Sequence, residues 1–166
     1  DGTASNAGHV RVYSWNGSTW TKRGADIDGE AAGDYSGYSV SLSSDGKTVA
    51  IGAYLNDGTA DNAGHVRVYK YNGTAWTKLG DDIDGEAADD NSGYSVSLSS
   101  DGTTLAIGAI YNDGTASNAG HVRVYSWNGS AWTKLGGDID GEAASDRSGS
   151  SAVSYTHLTL PTKSTV

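Results

Sequence analysis

The 166-residue chain has no cysteine, no methionine and no phenylalanine, and a single proline, Pro161. Without cysteine, disulfide frameworks and thiolate metal centres are excluded. Without methionine no start residue is visible, so a processed chain or a fragment is expected. No apolar run reaches the length of a membrane span, and no signal-peptide pattern is present, so no membrane insertion is expected. Basic residues are also scarce, 11 against 20 acidic ones, giving a formal charge of -9. Binding to a phosphate backbone needs a basic face, so a nucleic-acid partner is excluded. An acidic surface instead suits solubility, cation binding, or both.

Glycine is abundant, 24 residues, roughly twice average usage. With Tyr, Trp, Val, Thr and Ser supplying most of the rest, the composition fits short strands joined by many turns. Self-comparison gives the organisation. Gly-His-Val-Arg-Val-Tyr occurs at Gly8–Tyr13, Gly64–Tyr69 and Gly120–Tyr125, each 56 residues after the last, and 1–56 matches 57–112 at 43 of 56 positions.

Each unit reads as four short strands. Tyr38–Ser43 alternates, with Val40 and Leu42 on one face and Ser39 and Ser41 on the other. An Asp-Gly turn leads to Thr48–Ala53, where Val49 and Ile51 oppose Ala50 and Gly52. A loop reaches His65–Tyr71, and Asn72-Gly73 turns the chain into Thr74–Leu79. An acidic linker, Asp81–Asn91, follows. Four antiparallel strands per repeat is the make-up of a propeller blade. One face of bulky residues and one of tiny ones fits strands near a crowded axis. A parallel β-helix is the alternative, with shorter rungs and no hairpins.

The stretch Ser36–Tyr69 resembles the FG-GAP repeat, the blade unit of integrin alpha-chain-like β-propellers. Its marks are Gly37-Tyr38-Ser39-Val40, Ile51-Gly52-Ala53 and Gly64–Tyr69, recurring at Gly93–Val96, Ile107–Ala109 and Gly120–Tyr125. The resemblance implies an all-β partial propeller: 1–35 a half blade (strands three and four), 36–91 and 92–147 full blades, and 148–166 a truncated blade start. Neighbouring blades are then missing from this chain. Two departures stand out. The family's phenylalanine position holds Ser36 or Ser92. Many relatives bind calcium through alternating acids in the first hairpin, but this chain has only Ser43-Ser44-Asp45-Gly46 and Ser99-Ser100-Asp101-Gly102 there. One carboxylate cannot supply the six to eight oxygens that calcium takes. The repeat breaks off abruptly near 152, and 155–166 resembles a translated adapter sequence, a non-native tail.

The candidate sites recur with the repeat. Acidic residues at alternating positions could gather a hard cation, with weak calcium as the possible cofactor. They are Asp26, Asp28, Glu30 and Asp34; Asp82, Asp84, Glu86 and Asp90; and Asp138, Asp140, Glu142 and Asp146. The bland reading is a solvated loop. Trp15, Tyr71 and Trp127 share one position beside the Asn-Gly turn and could stack on a sugar ring, or simply protect an edge. Trp20, Trp76 and Trp132 read as blade core. His9, His65 and His121 read as strand-end residues with ordinary hydrogen bonds, and Arg11, Arg67 and Arg123 as partners of the acidic loops. The Asn-Gly-Ser/Thr sequons read as type I′ turns. No catalytic constellation is visible, because nearly every polar residue is repeated as structural residues would be. The expectation is a non-catalytic binding or adhesion-type propeller, extracellular or on a cell surface, with an unknown protein or glycan ligand. A structural array without a ligand, or a fragment of a lectin-like or enzymatic propeller, are the alternatives.

Overall fold

Alternating bulky and tiny residues give two five-stranded sheets that pack face to face. The computed structural model describes residues 3–154, and all its elements are strands. The tail reading for 155–166 lies outside the described residues. No helix is long and apolar enough to cross a membrane.

The half blade contributes β1 (His9–Val10), β2 (Tyr13–Trp15), β3 (Trp20–Lys22) and β4 (Ile27–Asp28), with β1 paired to β4 and β2 to β3. The first full blade is β5 (Ser39–Leu42), β6 (Thr48–Ala53), β7 (His65–Tyr71) and β8 (Trp76–Lys78), joined in that order. A short β9 (Ile83–Asp84) pairs with the start of β7, at His65 and Val66. The second blade repeats this: β10 (Ser92–Leu98), β11 (Thr104–Ala109), β12 (His121–Trp127), β13 (Trp132–Lys134) and β14 (Ile139–Asp140). All these pairings are antiparallel.

The fifth strand corrects the reading of 81–91 as a linker. Ile83 is buried in the core, and its flanking acids are the solvent side of a two-residue strand. Gly85, the glycine of the acidic segment, has a packing reason: a Cβ there would stand 2.0 Å from the Ala63 carbonyl oxygen. The Asn-Gly turns also differ from expectation. Gly17, Gly73 and Gly129 have positive φ, whereas Ser18, Thr74 and Ser130 do not, so these are not type I′. The Asn16 Oδ1 accepts from the backbone N–H of Ser18 and Thr19, and Asn72 and Asn128 do the same in their turns. That side-chain bond sets the turn.

The hydrophobic core lies between blades. Val96, Leu98, Leu105 and Ile107 of the second blade pack on Ala50, Val66, Val68 and Ile83 of the first. Thus the bulky face of one blade's first two strands meets a face of the preceding blade that is small at Ala50 and apolar at Val66, Val68 and Ile83. The contact is tight: Ser39 Oγ donates to Gly93 O, Leu98 N donates to Ser41 Oγ, and Ser44 N and Oγ both donate to Ser100 O. A Cβ on Gly52 would fall 2.1 Å from Gly93 O, and one on Gly108 2.0 Å from Gly149 O. Only glycine permits this approach. A smaller cluster of Ile27, Val49 and Ile51 joins the half blade to the first full blade. Antiparallel connectivity then sorts the loops. The starts of strands one and three and the acidic loops share one end, and the Asp-Gly and Asn-Gly hairpins share the other.

Candidate functional site

Seams between blades bring arginines, histidines and carboxylates of successive repeats together. Arg67 is buried, and its Nη2 donates to Asp28 O of the preceding repeat at 2.9 Å while Nη1 lies 3.2 Å from Glu30 Oε1. Arg123 repeats both contacts with Asp84 O and Glu86 at the next seam. These arginines pair with the acidic loops as their sequence implies. His65 and His121 begin the same strands and are buried, each Nδ1 facing a carboxylate, Asp84 at 4.0 Å and Asp140 at 3.9 Å. Their Nε2 atoms have no hydrogen-bond partner, contrary to the expected ordinary bond. Burial, with the neighbouring arginine second, pushes both imidazoles below the usual histidine value. Burial likewise raises the Asp84 carboxyl.

The acidic residues of one repeat are sent to different partners. Asp26 pairs with Arg11 and Lys22, Asp82 with Lys78, and Asp138 with Lys134. The Lys22 and Arg11 hydrogen bonds hold Asp26 below the carboxylate range, and Lys134 does so for Asp138. Asp34 and Asp90 turn inward. Each accepts from a backbone N–H three residues earlier and from an asparagine of the next blade, Asn56 or Asn112. They are latches across the seam. Asp146 keeps the backbone bond, from Ala143, and is exposed. The groups of metal-ligating residues that do converge among the described residues cross a seam: Glu30 with His65 and Asp82, and Glu86 with His121 and Asp138. Asp28, Asp140 and Glu142 belong to neither.

Two sets of aromatics differ in how they are spent. Trp15, Tyr71 and Trp127 each pair across a hairpin with Trp20, Trp76 and Trp132, at ring-centroid distances of 5.4, 5.1 and 5.5 Å. Trp76 and Trp132 are half-buried and pack against the edge of the core clusters, with their indole N–H groups donating to Arg23 O and Leu79 O of the preceding repeat, whereas Trp20 is exposed and is not blade core. Arg23 also lies over the Tyr71 ring, at 4.6 Å. The outer rim is therefore largely explained by joining blades, with Trp15 and Trp20 exposed where no such neighbour stands. A second set clusters at the opposite, inner side of the acidic-loop end. Tyr38 lies 4.4 Å from Tyr54 and 5.1 Å from Tyr94; Tyr54 meets Tyr94 edge-on at 5.8 Å and Tyr35 at 6.0 Å. The hydrogen bond with Tyr94 is the main reason the Tyr38 hydroxyl is held above its usual value. Tyr35 and Tyr38 are both exposed.

The FG-GAP repeat model matches residues 27–69 and 83–125, together more than half of the chain. The chain belongs to the FG-GAP repeat family. No curated protein matches it. Each FG-GAP match begins at the fifth strand of one blade and ends in the third strand of the next, so the family unit spans a seam. In the first hairpin of this FG-GAP pair, Asp45 Oδ1 accepts from Ser43 Oγ and Lys47 N, and Asp101 accepts from Ser99 Oγ and Thr103. Those serine bonds chiefly hold both carboxyls below the usual range. The carboxylates are engaged in closing their own turns. Sequence reading missed the tyrosine cluster. Its signal was present: Tyr35 and Tyr54 are among the few positions where the repeat changes, to Asn91 and Ile110.

Proposed function

We propose that this propeller segment is a non-catalytic binding module of the adhesion type, on an extracellular or cell-surface protein, and that the tyrosine cluster contacts its ligand. FG-GAP repeats make it a propeller-type repeat domain; the step to binding is carried by one observation. In a chain whose polar groups are mostly repeated, Tyr35 and Tyr54 depart from the repeat and join Tyr38 and Tyr94 in an aromatic patch in which Tyr35 and Tyr38 are exposed. Tyrosine offers a large rigid surface with a polar tip, which is why it is enriched at protein interfaces and suits sugar rings. The repeated arginine and aspartate latches favour a second reading, a structural array without a ligand.

The test presents the chain to immobilised extracellular proteins and a glycan array. Binding that drops at least about tenfold in Tyr38→Ala and Tyr54→Ala, as for central aromatic anchors, supports the proposal. Absence of any ligand, or a ligand indifferent to both substitutions, contradicts it.

A further inference from the structure

Each seam brings together three metal-ligating side chains drawn from two repeats. Glu30 of the preceding repeat meets His65 and Asp82 of the next, with one ligand atom from each lying within 4.8 Å of the others. Glu86, His121 and Asp138 form the same group one repeat later. The histidines are the fixed members: their side chains are only 2% and 1% exposed. Nδ1 faces a carboxylate, Asp84 or Asp140, and Nε2 has no partner, so each ring has a nitrogen to give. A buried polar atom left unpaired is destabilising. The same imidazole nitrogen is orphaned at both seams, and a ligand there would satisfy it.

We propose that each seam is a binding site for a divalent transition-metal ion of the zinc class, bridging adjacent blades. One imidazole nitrogen and two carboxylate oxygens, with water as a fourth ligand, suit tetrahedral zinc, whereas calcium takes six to eight oxygens. Donors around such an ion stand roughly 3.3 Å apart, given bond lengths near 2.0 Å. The group must therefore contract, and Glu30 and Glu86, nearly half exposed, have the freedom to do so. Arg67 holds one Glu30 oxygen and Lys78 one Asp82 oxygen. Each carboxylate keeps a second oxygen for the ion. Those cations weaken the site, which sets the expected affinity in the micromolar range. Asp84 and Asp140 supply the carboxylate that often stands behind a metal-bound imidazole. Among the described residues His9 and Asp26 have no glutamate before them and Glu142 has no histidine after it, so two sites are complete there.

The experiment titrates the untagged, chelator-treated chain with zinc chloride by calorimetry and with cobalt(II) by visible absorption. Two ions per chain are expected, with tetrahedral cobalt bands and a higher Tm in zinc. Glu30→Gln should leave one site, and Glu30→Gln with Glu86→Gln neither. Losing an outer-shell partner already costs about tenfold in affinity, and a direct ligand costs at least that. Far-UV circular dichroism unchanged in the double variant would show that the fold is kept, since both side chains are exposed. Failure to bind either ion, or a stoichiometry that ignores the glutamate substitutions, overturns the proposal.

Discussion

Val40 and Leu42 occupy the same repeat positions as Val96 and Leu98, yet the first pair is 53% and 46% exposed and the second 9% and 6%. Their local pairings match, Val40 with Ile51 and Leu42 with Val49 as Val96 with Ile107 and Leu98 with Leu105. What differs is the neighbour: β10 has a complete sheet against it, whereas β5 faces a half blade that lacks strands one and two. Ile139 shows the converse at the other end, 58% exposed where Ile27 and Ile83 are buried. Asp146 is exposed where Asp90 latches onto Asn112. A blade of this protein has no hydrophobic interior of its own. Its stability is held in the seam, as nearest-neighbour terms hold other repeat proteins.

The sharpest way to break this comparison is to truncate matched leucines. Leu98→Ala should cost about 2–5 kcal/mol, the usual range for a buried leucine. Leu42→Ala should cost about 0.5 kcal/mol or less, as at an exposed surface site. Urea unfolding of the two variants checks both values. Equal costs would mean that the half blade supports β5 as well as a full blade supports β10.

A smaller effect separates the matched arginines. Arg123→Met removes a buried guanidinium from Asp84 O and Glu86 and leaves that carbonyl short of a partner. We expect a loss of about 1–3 kcal/mol. Among the described residues Arg11 pairs with Asp26 at the surface, so Arg11→Met should leave the unfolding midpoint close to the parent's. Chemical denaturation again provides the comparison. Similar losses would place Arg123's contribution outside the seam.

Histidine gives the mildest distinction, read through pH. In the folded chain His65 and His121 are held below the ordinary value, so the unfolded chain takes up protons first. Stability should therefore fall as pH drops below about 6.5, the unfolded histidine value, and continue falling until the folded pKa is passed. With chelator present, His65→Gln and His121→Gln should each flatten this slope between pH 7 and 5. A wild-type Tm that is level across that window would contradict the burial of both rings.

Most of the fold was legible because burial here follows a period of two. Val49, Ile51, Ala50 and Gly52 announce a sheet with one bulky and one tiny face, and the structure packs the bulky face against the preceding repeat. The fifth strand was not legible. Ile83 and Asp84 form too short an alternation to stand out inside an acidic stretch, and only their pairing with His65 and Val66 defines them. The convergence of Glu30 with His65 and Asp82 was hidden for another reason. It joins residues 35 and 52 positions apart across a seam, whereas the sequence invites grouping acids within one loop. Tyr38 and Tyr94 were visible as motif positions, but their meeting with Tyr54 depends on how blades stack.

The central claim, that a blade is buried by its neighbour rather than by itself, has a direct test. A copy of residues 92–112 placed ahead of residue 1 would supply strands one and two of the half blade, in register with the repeat. Urea unfolding of this extended chain, with and without Leu42→Ala, gives the decisive comparison. The account predicts that the cost of Leu42→Ala rises to the about 2–5 kcal/mol of a buried leucine. A cost that stays near 0.5 kcal/mol, about that of an exposed side chain, in a folded extended chain would contradict it.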